Sequence, residues 1–169
     1  MAIRWHAEAC DLAPDAVSGA GICRLTAAAM HSTNLYFEQP HSSPCGRFVA
    51  FGRAQHSDPR LPPTQLWVAD LERLKVAHID SDIVSTWFAT SSWSGQVFYL
   101  RGNGELIKVD LATLERQIVL THWPLASEVV LWSVTPDLRY LVTAMNAPDY
   151  HCEIIRVDLH GGAWEIIHR

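Results

Sequence analysis

The chain has 169 residues, 49% of them hydrophobic and 18% charged, with a formal net charge of −5. That composition fits one ordinary globular domain and excludes a disordered chain. The acidic balance argues against a non-specific nucleic-acid surface, and the longest apolar runs fall far short of the ~18 residues that a membrane-spanning helix needs.

Residues 1–26 read as a lead-in. They hold a loop at Ala13-Pro14-Asp15, a Gly-rich exit at Gly19–Gly21 and a short strand, ICRLT, at Ile22–Thr26. The first fifteen residues lack the continuous apolar stretch of a secretion signal, so a cytoplasmic location is expected. No two of Cys10, Cys23, Cys45 and Cys152 stand in CxxC spacing. A zinc site is therefore not expected, and free thiols are.

The remainder, 27–169, divides into three similar units at about 35–80, 83–121 and 126–169. In the first, an inner strand near Phe37–Ser42 precedes the turn Ser43-Pro44-Cys45-Gly46, where Pro presets φ and Gly permits a positive one. Pro59, Pro62 and Pro63 forbid a strand in the connection Ala54–Thr64. The second unit carries TWFATS, QVFYL, ELIKVD and RQIVLT, with an Asn-Gly hairpin signal at Asn103-Gly104. The third carries EVVLWSV, RYLVTAM, HCEIIRVD and AWEIIH, with turns at Thr135-Pro136-Asp137 and Leu159–Gly162. No segment sustains a 3.6-residue apolar period, so almost no helix is expected.

One heptad of residues recurs in the three units: QLWVADL (65–71), ELIKVDL (105–111) and EIIRVDL (153–159). The aspartates, Asp70, Asp110 and Asp158, lie 40 and 48 residues apart. A period of this length with several short strands per unit is the mark of a β-propeller. The expected fold is all-β, with three four-stranded antiparallel blades. In such a ring an N-terminal strand often completes the last blade, and Ile22–Thr26 is assigned that closing role.

Three stretches, HSTNLYFEQPHSSPCGRFVAF (31–51), QVFYLRGNGELIKVDLATLERQIVLT (96–121) and EIIRVDLHGGAWEIIH (153–168), resemble the oligogalacturonate lyases. The NLYF segment and LIKVDLATLERQ are the specific parts of the resemblance, which covers about residues 22–169. It implies an N-terminal part of a seven-bladed propeller whose family cleaves pectin fragments by metal-assisted β-elimination. The family's first turn reads Ser-Pro-Asp-Gly, and Cys45 replaces that aspartate, which is expected to remove a side-chain cap. The resemblance implies manganese or another divalent metal as cofactor and an acidic oligogalacturonide as substrate. The family's metal ligands and proton-transfer residues belong to later blades, so this chain alone is expected to bind no metal and to be inactive.

β-Elimination needs a base for the proton α to the uronate carboxylate and a cation to stabilise the carbanion. The nine histidines include no HxH or HxxxH pair, so no internal metal site is expected. His31, Asn34 and Tyr36 precede the first inner strand, where propeller loops line the central funnel, and are the candidate substrate contacts. His41 is a weaker candidate, better read as a core histidine. Trp87, Trp93 and Trp132 read as packing between blades rather than as sugar platforms. The alternative reading is a non-catalytic propeller scaffold for a protein partner. A peptidase of the prolyl-oligopeptidase type would need a GxSxG elbow, and none occurs. Apolar strand edges, including Trp132 and Trp164, are expected to favour self-association.

Overall fold

In the computed structural model, residues 3–35, 39–54, 56, 63–84, 88–91, 94–125, 129–146 and 152–168 are described. Among them every regular element is a strand. The lead-in contributes β1 (Trp5–His6), β2 (Cys10–Asp11) and β3 (Cys23–Arg24). Three meanders follow. The first comprises β4 (Ser32–Asn34), β5 (Phe48–Ala54), β6 (Thr64–Asp70) and β7 (Lys75–Ile83). The second comprises β8 (Ala89–Thr90), β9 (Gln96–Leu100), β10 (Leu106–Asp110) and β11 (Arg116–Leu120). The third comprises β12 (Val129–Val134), β13 (Tyr140–Asn146), β14 (Cys152–Asp158) and β15 (Trp164–His168). Each meander is an antiparallel sheet with its strands in chain order. The all-β, four-stranded blades expected from the repeat are the ones observed.

The repeated Asp-Leu turn has one geometry in all three blades. The Asp Oδ1 accepts backbone N–H groups of the turn: Glu72 and Arg73 on Asp70, Ala112 and Thr113 on Asp110, His160 on Asp158. The following Leu N–H reaches back to the preceding turn, to the carbonyls of Arg47, Gly95 and Arg139. Four residues after each Asp the backbone is left-handed, with φ of 51° at Leu74, 60° at Leu114 and 71° at Gly162. Only the third copy uses the residue for which that conformation is free of strain.

Burial explains why the three units differ in pattern. The middle blade is covered on both faces. Val97, Tyr99, Ile107 and Val109 pack toward the first blade, with Ala50, Leu66, Val68 and Ile79. Phe98, Leu106 and Leu120 pack toward the third, with Val134, Leu141, Ile155 and Val157. The run QVFYL is continuously apolar because both of its faces are interior. The β14 run alternates instead: Ile155 and Val157 are buried, and Ile154 and Arg156 are half-buried on the other face.

Two details depart from the sequence reading. The first inner strand begins at Ser32, earlier than the Phe37–Ser42 expected, and pairs Ser32, Thr33 and Asn34 with Arg53, Gly52 and Phe51. Within the expected stretch, Phe37 and Glu38 lie outside the described residues; the His41 carbonyl accepts the Ala50 N–H at 2.8 Å and Ser42 bridges Val49. The segment Ile22–Thr26 supplies β3, which pairs with β2 in a small hairpin, Cys10 opposite Arg24 and Asp11 opposite Cys23. The outer edge of the first blade carries a fifth strand, β1, antiparallel to β7 with Trp5 opposite Ala77 and His6 opposite Val76.

Candidate functional site

The inner strands set the geometry of any axial site. Both His31, just before β4, and Asn34, its last residue, are exposed. The His31 carbonyl accepts the Ala54 N–H at 3.1 Å, which anchors the backbone and leaves the ring outside the ladder. Asn34 lies opposite Phe51 and lines a cavity of about 30 Å³ with Arg53, Thr64 and Phe88. That is room for one water. Thr64 Oγ1 is buried there and has no hydrogen-bond partner among the described residues. The third candidate, Tyr36, lies outside the described residues, as do Trp87 and Trp93; of Trp132 only the backbone, in β12, is described. His41 is buried, as the core reading expects. Neighbouring blades are tied by side chains: Thr90 Oγ1 donates to Gln39 Oε1 at 3.0 Å, and Ser91 Oγ donates to the Thr135 carbonyl at 3.2 Å.

Beside Ser32 lies a carboxylate-binding arrangement that the sequence reading missed. Arg53 is 1% exposed. Its guanidinium centre sits 4.2 Å from the Trp67 ring centroid, and Nε donates to Ser32 Oγ at 3.1 Å. Its fork holds both oxygens of Glu8, Nη1 to Oε1 at 3.0 Å and Nη2 to Oε2 at 2.5 Å. The Ala27 and Ala28 N–H groups also donate to Glu8 Oε2. The Arg53 hydrogen bond is the main reason that the Glu8 carboxyl lies below its ordinary value; burial opposes it. Two oppositely charged groups therefore satisfy each other under the lead-in, on a face floored by Phe51, Trp67 and Leu25. A sign was present in the sequence: in a strand of period two, Phe51 and Arg53 must share a face, and a cation on an apolar face needs a carboxylate. The partner's identity, 45 residues away, had no such sign.

The four cysteines are free, with Cys23, Cys45 and Cys152 exposed and Cys10 half-buried. Cys45 does not leave its turn uncapped. Its Sγ lies 3.4 Å from Ser43 Oγ, and that hydrogen bond, with the Arg47 N–H, holds the thiol below its ordinary pKa. The same turn in the third blade uses Asp137, which accepts Thr135 Oγ1 at 2.5 Å and the Arg139 N–H at 3.1 Å. Among the described residues no three His, Cys, Asp or Glu side chains are placed to hold a metal ion, so the described residues do not fit the divalent ion that the resemblance implies.

Comparison with known proteins adds the following. No protein-family model matches the chain, and no curated protein matches its sequence. Among solved structures, the oligogalacturonate lyase of Vibrio parahaemolyticus superposes with a TM-score of 0.67 at 20% identity, over 99% of this chain and 47% of that one. An oligogalacturonate lyase in complex with manganese gives 0.66 at 22% identity, again over 99% of this chain and 47% of the other. A putative TolB from Agrobacterium tumefaciens gives 0.52 at 12% identity, over 88% and 53%. The class is thereby defined: this is a β-propeller fold, present as three blades, and the chain spans about half the length of the structures it matches.

Proposed function

We propose that the chain is a propeller module of an oligogalacturonate lyase-like protein that recognises acidic oligogalacturonides and does not by itself catalyse their elimination. One observation carries the reading: the blades superpose on two oligogalacturonate lyases over 99% of this chain but only 47% of theirs. In this reading His31 and Asn34, both exposed at the inner strand, contact the sugar acid; Tyr36 is the third member of the set. Eliminating the glycosidic oxygen requires a base and a cation at the uronate carboxylate, and no step is assigned to a metal on this chain.

The test uses the purified chain with digalacturonate and manganese. Binding is followed by calorimetry and turnover by the absorbance of the new carbon–carbon double bond. Binding without turnover is expected, weakened several-fold by His31→Ala together with Asn34→Ala. Failure to bind any acidic oligosaccharide would overturn the proposal in favour of a protein-binding scaffold, and turnover above the enzyme-free control would overturn the claim of inactivity.

A further inference from the structure

A groove of about 1110 Å³ opens on the outer rim between the first two blades. One wall is the lead-in around β1, including Arg4 and Trp5. The other is the outer strand of the second blade, including Glu115 and Arg116. At its base Asp80, 6% exposed, faces the fully buried Tyr99.

The hydrogen bonding here is unbalanced. Asp80 accepts the Tyr99 hydroxyl at 2.8 Å and the Ser81 N–H at 2.9 Å, and it pairs with Arg116 Nη1 at 3.1 Å. A second cation, Arg101, comes only within 3.7 Å of the same carboxylate through Nε. That Nε is buried and makes no hydrogen bond among the described residues; the Nη1 of the same residue lies 3.2 Å from Glu105. Two guanidinium groups thus share a carboxylate that two neutral donors already occupy. On the facing wall Arg4 is exposed and has no ion pair among the described residues. Arg4, Arg101 and Arg116 stand with Asp80 and Glu115 on the walls and Glu105 on Arg101, and of the three cations only Arg4 has no carboxylate partner among the described residues. The exposed Arg4, the exposed edge of Arg116 and the open volume suit an anion, for which arginine offers paired planar donors.

We propose that this groove binds a small molecule bearing two or more carboxylates. Arg116 and Arg101 take one carboxylate, Arg4 takes another, and the Trp5 ring packs against the carbon skeleton. The site uses none of the axial residues, so it stands apart from the reading of His31 and Asn34.

Calorimetric titration of the whole chain at low salt with citrate and with digalacturonate tests it, with a neutral galactose disaccharide as control. At least one of the two acids binds, the neutral sugar does not, and affinity falls steeply with added salt. Citrate alone assigns a free polycarboxylic acid, and digalacturonate assigns a uronate. Arg4→Ala weakens binding about tenfold. Glu115→Gln removes a competing carboxylate and tightens it several-fold, a gain that misfolding does not produce. Both side chains are exposed, and the titrations are made in the His31→Ala, Asn34→Ala background, which removes the proposed axial contacts, so that the binding that remains belongs to the groove. If neither acid binds, or if Arg4→Ala and Glu115→Gln both bind like the wild type, the proposal is wrong. Loss of binding in the His31/Asn34 variant alone would also refute it, by moving the ligand to the axis.

Discussion

Cys45 and Asp137 occupy equivalent places in two blades, and the comparison has a chemical consequence. Both accept a hydroxyl and a backbone N–H, which favour the anion, so the turn is built for a carboxylate and carries a thiol. Thiol nucleophilicity follows the thiolate fraction. Cys23 is the opposite case: partial desolvation, followed by the nearby Asp11 charge, raises its pKa. Substoichiometric iodoacetamide at neutral pH, read by peptide mass spectrometry, should label Cys45 before Cys23. For the pH sign, a depressed thiol pKa adds stability above the unfolded thiol value, and that contribution fades as pH falls through the folded one. Glycines give a second residue-scale prediction. Both Gly46 and Gly95 have positive φ, 73° and 67°. A Cβ on Gly46 meets nothing within 4 Å, whereas one on Gly95 would lie 2.5 Å from Pro44 Cδ. Urea denaturation should show Gly46→Ala costing about 1–2 kcal/mol from backbone strain alone. Gly95→Ala should cost about 2–4 kcal/mol, because a clash adds to the strain.

At the scale of the elements, Arg47 joins the first blade's two turns, pairing with both Asp70 and Glu72. Arg47 holds Asp70 in a fork, Nε to Oδ1 at 3.0 Å and Nη2 to Oδ2 at 2.7 Å, with Asp70 only 1% exposed. This pairing, more than the turn's own N–H groups, holds the Asp70 carboxyl below its ordinary value. The contribution is complete above the unfolded carboxylate pKa, about 4. It is lost as pH falls through the lower, folded value. Asp70→Asn should lower unfolding stability at pH 7 by about 2 kcal/mol and flatten the acid limb of the stability–pH curve, both measurable by chemical denaturation. The blades themselves were legible because their signals are local: an apolar strand, a Gly or Pro turn, an alternating strand ending in Asp-Leu. Cys45 showed a limit of the same approach, since side-chain type suggested a lost cap and only the geometry revealed sulfur in the acceptor position. The start of the first inner strand at Ser32 was not legible, because only its register against Phe51–Arg53 shows that Ser32–Asn34 join the sheet. Glu8–Arg53 and the rim groove stayed hidden for another reason. Their members lie 45 residues apart or come from different sheets, and periodicity carries no information about such pairs.

Across the whole molecule, the two end blades present different surfaces. The face of the first that is turned away from the second is covered by the lead-in, through Glu8–Arg53 and Leu25. On the outer strand of the third, Trp164 and Ile167 are 46% and 48% exposed. Exposed apolar side chains of that size promote association. Sedimentation velocity should show concentration-dependent self-association of the wild type at micromolar levels, relieved by Trp164→Ser with Ile167→Ser. Opening the covered face should have the reverse effect. Glu8→Ala strands the Arg53 cation in an apolar setting and should increase binding of a fluorescent apolar dye over Phe51 and Trp67.

The lead-in is also a matter of timing. Trp5 pairs with Ala77, and His6 with Val76, so these two residues have no edge to join until the much later β7 has emerged from the ribosome. A loop of this span is slow to close compared with the local hairpins. Until it closes, the Arg53–Trp67 face is bare on the nascent chain and Glu8 trails as a free anion. A chaperone that holds apolar surface would find a binding face on Phe51 and Trp67 before the lead-in covers them.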